Sequence, residues 1–425
     1  MWRRYGLEAG IILRSGAATM LLLGSLAVLT ACSEGDARSR GTDAASSEES
    51  GTVKQVAEDA GEPVDSAVAL ARAMTARLQD LCESDSAAIR HATAVAAADK
   101  AAVDSARAAQ ARDSVAADST IAAAGGSSTG RVAAAKNAAR AKKSSVARKD
   151  PPAWAGSVAR RAMSQVPRPG ALFPGCRVVA YYGNPYSKRM GILGEIAPDA
   201  MLERLERQAA AYARADSSVH VIPALELIAI VAQADAGRDG LYRARMPDSL
   251  IERVAAWAES KNYLLILDIQ NGHSSVAREL RSLVPFLKRP NVHLALDPEF
   301  AMPGTKRPGT VIGTLDAREV NLAIDTLARL VTEYELPPKM LIVHRFTRPM
   351  LTNHERIRLD PRVQVVIDMD GFGAPFLKRD SYRRYVFDHP VQFTGFKLFY
   401  KNDKPLLTPN EVLKLVPTPV FIMYQ

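Results

Sequence analysis

The amino-acid sequence predicts an α/β fold, a (β/α)8 barrel, over residues 151–425, on three observations. Eight short apolar runs follow one another between Cys176 and Gln425: CRVVAYYG, HVIPALEL, YLLILDIQ, VHLALDPEF, MLIVHRF, VQVVIDMDG, FTGFKLFY and VFIMYQ. Stretches of helical periodicity, such as MLERLERQAAAYARA and LIERVAAWAES, separate most neighbours. Several runs carry charged side chains at or near their C-terminal ends: Glu226, Asp268, Asp297, Glu299, His344, Asp368, Asp370 and Lys397. That end of each strand forms the functional face of this fold, so the expectation is a barrel with a polar mouth.

Residues 1–31 read as an export signal. Arg3, Arg4 and Arg14 precede an apolar run from Ala17 to Ala31. The run is shorter than the ~20 residues needed to span a bilayer, which favours a signal peptide over a permanent membrane helix. It ends in Leu29-Thr30-Ala31-Cys32, which resembles the lipobox of bacterial lipoproteins. The resemblance implies acylation of Cys32, with palmitate among the chains, and a stable membrane anchor. Ser33 implies the outer membrane if the host is Gram-negative. An ordinary secretion signal is the alternative.

Residues 32–150 have a different composition. No aromatic residue occurs between Tyr5 and Trp154, and eighteen of the fifty residues from Ala101 to Asp150 are alanine. So little large apolar surface cannot offset chain entropy, which makes this segment a tether rather than a second core. Within it, Val64, Val68, Ala71, Met74, Leu78, Leu81 and Ile89 recur at roughly helical spacing and predict an amphipathic helix inside 63–97. Arg131, Lys136, Arg140, Lys142, Lys143, Arg148 and Lys149 form a basic stretch that accounts for most of the formal net charge of +9. It suits a solvated linker or an anionic envelope polymer. Nucleic acid is not expected, because the stretch has no aromatic side chain for base stacking.

With Cys32 assigned to lipid, Cys82 and Cys176 remain, and an oxidising compartment would let them join the amphipathic helix to the first strand. The eighth apolar run is followed by no helical pattern, so the barrel is expected to lack its eighth helix. The helix within 63–97, or a second at Trp154–Val166, is expected to cover the exposed flank.

The chemistry follows from strand parity. Residues two apart share a face, so Asp297 and Glu299 point together, as do Asp368 with Asp370 and Asp268 with Gln270. Barrel interiors favour Val, Ile and Leu, so carboxylates grouped at strand ends need a reason. Like charges held close raise at least one pKa, and a protonated acid beside an ionised carboxylate cleaves glycosidic bonds. The fourth run, LALDPEF, resembles the Asp-x-Glu strand ending of barrel glycosidases of the chitinase and lysozyme-like clans. That resemblance implies Glu299 as general acid and Asp297 as its partner. Val292 and Ala295 stand where the two earlier aspartates of the full chitinase signature would be.

The barrel as a whole resembles an uncharacterised family of secreted bacterial TIM-barrel lipoproteins. The shared pieces are LLILDIQ, NVHLALDPEF, the Pro303–Gly313 run, AREVN, LPPKMLIVHRF, VIDMDG and GFKLFYKND. This implies fold and export, and brings no activity with it.

The expected catalytic set is therefore Glu299, Asp297, Asp370, Asp368 and His344. The expected substrate-binding set is Asp268, Gln270, Glu226, Tyr182, Lys397, Tyr400 and Tyr424. Three readings stay open: a cell-envelope glycoside hydrolase that needs no cofactor, a barrel that binds polysaccharide or another envelope polymer without cleaving it, and a hydrolase using a divalent metal on Asp297, His344 and Asp370.

Overall fold

A computed structural model describes residues 64–83 and 167–425. The signal segment, Cys32, the basic stretch 125–149 and the expected helix at Trp154–Val166 lie outside the described residues.

Eight parallel strands close into a barrel: β1 (Cys176–Gly183), β2 (His220–Ala232), β3 (Leu264–Ile269), β4 (Val292–Leu296), β5 (Lys339–His344), β6 (Val363–Met369), β7 (Phe393–Leu398) and β8 (Phe421–Tyr424). Each pairs with the next, and β1 pairs with both β2 and β8, which closes the ring. This is the expected fold. The main helices are α1 (Val64–Glu83), α2 (Pro198–Ala215), α3 (Asp248–Ser260), α4 (Val276–Leu287), α5 (Ala317–Glu333) and α6 (Pro375–Tyr382). Their ends follow local chemistry. Pro198 opens α2, Ser275 caps α4, and Asp316 with Glu319 forms a reciprocal capping box on α5.

Strand parity divides the core into two layers. In β3, Leu265, Leu267 and Ile269 face outward and pack with Leu250, Val254, Leu280 and Leu283 of the helices. Leu264 and Ile266 face inward and meet Val178, Ala180, Ile342 and Val366. Each buried aliphatic side chain contributes about 1.5–3 kcal/mol, so the two layers fix which strand positions can reach the axis. β2 runs five residues beyond its expected end at Leu227. Its register shifts between Ile228 and Ile230, and its last residues pair antiparallel with Arg243–Arg245.

The amphipathic helix exists as α1 but does not cover the flank. Arg72 bonds Glu335 at 2.8 Å and Arg77 donates to the Asn262 carbonyl at 3.2 Å. Glu335 and Asn262 lie in turns that lead into β5 and β3, so α1 lies across the barrel floor. Leu78 and Cys82 pack there against Leu172, Phe173 and Cys176. Cys82 and Cys176 are disulfide-bonded, with Cα atoms 5.0 Å apart. Gly175 permits this approach, because a Cβ there would stand 1.8 Å from the Cys82 carbonyl oxygen. The flank beside β8 is filled by α2 instead. The Tyr212 and Tyr424 hydroxyls meet at 2.9 Å, Gln208 donates to Tyr424 at 3.0 Å, and Leu407, Val412 and Leu415 join the same apolar layer. Tyrosines can close this gap because each brings a large apolar body with a hydroxyl that finds a partner.

Candidate active site

The mouth is built on a polar layer. Alternate strands β1, β3, β5 and β7 contribute Tyr182, Asp268, His344 and Lys397, as inward layers of this fold do. The Tyr182 hydroxyl donates to Asp268 Oδ2 at 3.1 Å, and its ring lies 6.0 Å from that of His344. Lys397 Nζ sits 3.6 Å from the Tyr182 ring centroid, a cation–π contact that holds the ammonium over that ring. Asp268 and His344 are fully buried.

Strand β2, strand β6 and the residue just after β6 supply the carboxylates on either side of His344. Its Nε2 lies 3.0 Å from Glu226 Oε1, and its Nδ1 lies 3.4 Å from both Asp368 Oδ2 and Asp370 Oδ2. Those two aspartate oxygens are thus no further apart than twice that distance. Among the described residues, several buried oxygens here have no hydrogen-bond partner: Glu226 Oε2, Asp268 Oδ1, both of Asp368 and Asp370 Oδ1. Gly395 of β7 makes room for Asp368, since a Cβ there would stand 2.5 Å from Asp368 Oδ1.

Asp297 and Glu299 rise above this layer. Asp297 caps a short 3-10 turn, Pro298–Phe300, by accepting the Glu299 backbone N–H at 3.1 Å. Its other oxygen accepts from Gln270 Nε2 at 3.4 Å, and the same nitrogen donates to Tyr182 at 3.2 Å. Glu299 is half-buried, whereas Asp297 and Asp368 are buried. The Glu299 carbonyl accepts from Gly313 N–H at 2.6 Å, which anchors the loop after β4.

The electrostatics follow from crowding in a poorly hydrated space. Burial pushes Glu299 well above the usual carboxylate range, and Asp297 and Asp370 add to the shift. Burial also raises Asp268, opposed by His344 and reinforced by Asp297 and Glu226. Asp370 is pushed up to about 7 by burial, against the pull of His344 and Lys397. Glu226 rises through burial too, with His344 pulling the other way. For His344, burial disfavours the cation, yet Asp368, Glu226 and Asp370 outweigh it and hold the pKa well above the ordinary value. Tyr182 stays a neutral phenol, raised by burial and then by Asp268, Asp297 and Glu226.

Ten of the twelve expected site residues thus meet in one mouth: Glu299, Asp297, Asp370, Asp368, His344, Asp268, Gln270, Glu226, Tyr182 and Lys397. Tyr400 and Tyr424 do not. They lie outside the strand ring, stacked at 5.0 Å on each other, with the Tyr400 hydroxyl 2.8 Å from that of Tyr181 and Arg204 4.0 Å over its ring. Met423 points inward, so its neighbour Tyr424 must point outward. The expected metal set also changes. Among the described residues, ligand atoms converge in Glu226, Asp268 and His344, not in Asp297, His344 and Asp370.

Two residues absent from the expected set brace the mouth. Lys378 Nζ, buried, pairs with Asp403 at 3.0 Å and donates to the carbonyls of Gly371 and Lys397 at 2.6 and 2.7 Å. Asp403 in turn accepts the Gly373 and Phe399 N–H groups. The pair therefore ties the segment after Asp370 to the one after Lys397. In comparisons with known proteins, no protein-family model and no curated protein matches the chain.

Proposed function

We propose that the barrel is a cell-envelope glycoside hydrolase, with Glu299 as the acid that protonates the leaving glycosidic oxygen. One observation carries the reading. Of the mouth acids, Glu299 combines a half-buried, solvent-reaching position with a carboxyl whose pKa is pushed well above the usual range by burial, Asp297 and Asp370. Such an acid near neutrality is what glycosidic cleavage requires, and general acid catalysis contributes about 10²–10⁴-fold. Asp370, close enough to add to the Glu299 shift and itself pushed up to about 7, is the second acid, and its ionised form would activate water or stabilise positive charge at the sugar. Asp297 orients the Glu299 turn through its cap, and Asp368 with His344 fixes Asp370 from behind.

The rim supports a ligand with apolar faces. Tyr186 and Phe372 are exposed on loops at the strand C-termini, Phe376 is exposed in the first turn of α6, and Val311 and Ile312 are exposed after β4. Aromatic side chains in such positions offer flat surfaces for sugar rings. Acylation at Cys32 would hold the protein on a membrane, with the 32–150 segment as its tether. The Cys82–Cys176 disulfide is in keeping with an exported protein.

A glycan-library screen of the full chain tests this reading. Release of reducing ends from at least one polysaccharide is expected. Tight retention on a glycan with no product would overturn the hydrolase and leave a binding barrel.

A further inference from the structure

We infer that Glu226, Asp268 and His344 form a binding site for one divalent transition-metal ion, of the Mn2+ or Zn2+ class, on the barrel axis beneath Glu299. The inference does not depend on the glycosidic reading.

The three side chains come from three strands, β2, β3 and β5, and all are fully buried. Each offers one ligand atom, and these atoms lie within 4.8 Å of one another. His344 Nε2 and Glu226 Oε1 are 3.0 Å apart. That contact is a hydrogen bond, and its length is also about the separation of two ligands held ~2.1 Å from one ion at octahedral angles. Glu226 Oε2 and Asp268 Oδ1 have no hydrogen-bond partner, although a buried polar oxygen demands one. A cation between them meets that demand.

The surroundings are those of a metal ligand set rather than of a bare acidic cluster. A ligating histidine holds its second ring nitrogen toward a carboxylate, which fixes its tautomer and orientation. His344 Nδ1 faces Asp368 and Asp370 at 3.4 Å on the side away from Glu226. The other Asp268 oxygen accepts a hydrogen bond from the Tyr182 hydroxyl at 3.1 Å. Asp297, by contrast, spends its two oxygens on the Glu299 N–H and on Gln270. It is therefore a poor ligand. One imidazole with two carboxylates favours a transition metal over Mg2+ or Ca2+, which prefer all-oxygen sets.

The test uses the full chain, stripped with chelator and titrated separately with Mn2+, Zn2+, Mg2+ and Ca2+ by calorimetry. Metal content is then measured after desalting. One ion of Mn2+ or Zn2+ per chain is expected, with Mg2+ and Ca2+ at least tenfold weaker and a rise in Tm on loading. His344→Gln and Asp268→Asn should each abolish stoichiometric retention. Asp368→Asn, which leaves all three ligands in place, should weaken binding about 10–100-fold. Glu299→Gln should bind metal as the wild type does, which separates this site from the catalytic acid. If the ligand variants fail to fold, the visible spectrum of Co2+-loaded wild type decides, since a protein site of lower symmetry shifts and intensifies the weak d–d bands of hexaaqua Co2+, and an unshifted aqua spectrum would count against the site. Absence of a retained ion in the wild type, or retention unchanged in folded His344→Gln, would overturn the site.

Discussion

Gly395 stands opposite Asp368 across the β6–β7 ladder, and the space where a Cβ would lie is taken by the Asp368 carboxylate. The aspartate that flanks His344 therefore depends on a missing side chain one strand away. Gly395→Ala should displace Asp368 and cost about 1–3 kcal/mol through overpacking. Urea unfolding gives the loss. Activity should fall more than stability implies, and an alanine variant with full activity would show that Asp368 has freedom to move.

The Cys82–Cys176 bond closes a sequence separation of 94 residues and fastens α1 beneath the barrel. Replacing both cysteines with serine should cost roughly 2–4 kcal/mol. Because α1 is part of the barrel floor, a fragment beginning near Pro151 should be less stable than the chain that retains α1. Equal unfolding midpoints for the two would argue that α1 contributes nothing to the fold.

Lys378 and Asp403 form an ion pair with both side chains almost wholly buried. Asp403→Asn leaves the ammonium without its counter-charge, and breaking a buried pair costs about 3–5 kcal/mol. The same change frees the two segments that follow Asp370 and Lys397. The expected result is a lower unfolding midpoint together with a lower turnover number.

His354, in the segment that follows β5, and His389, just before β7, stack edge to face at 4.7 Å. Burial lowers His354 to about 3, with Arg345, His389 and Arg348 adding to it, while Glu355 lies 3.5 Å away. Burial lowers His389 to about 4, with Arg345 and Arg348 adding and Glu355 opposing. Both folded values lie below the unfolded one near 6.5, so the unfolded chain takes up more protons between them. The stability they contribute is present above pH ~6.5 and is lost as pH falls toward 4 and then 3. A His354→Gln/His389→Gln double variant should show a shallower fall of Tm across that window. A wild-type Tm profile that coincides with the variant's would contradict this.

Much of the site was legible because strand parity is a strong constraint. Once Leu265 and Leu267 are placed outside, Asp268 must point inward, and the same rule brings in Glu226, His344 and Lys397. Tyr424 was open to the same rule through Met423, but Tyr400 lies past the end of β7, where parity no longer applies. Helical spacing in 63–97 announced a buried face without naming the surface that buries it, and the floor was as open to it as the flank. The pairing of Lys378 with Asp403 joins two loops, for which the sequence has no periodic signal. Convergence of Glu226, Asp268 and His344 depends on which strand ends are level, a matter of barrel stagger that composition does not reveal.

Glu299→Gln tests the catalytic proposal most directly. The amide keeps the shape of the side chain and its backbone contacts but cannot give up a proton to a leaving oxygen. Hydrolysis of a responsive polysaccharide should fall about 10²–10⁴-fold, with ligand binding and unfolding midpoint retained. Turnover equal to that of the unsubstituted protein would contradict the assignment of Glu299 as the acid.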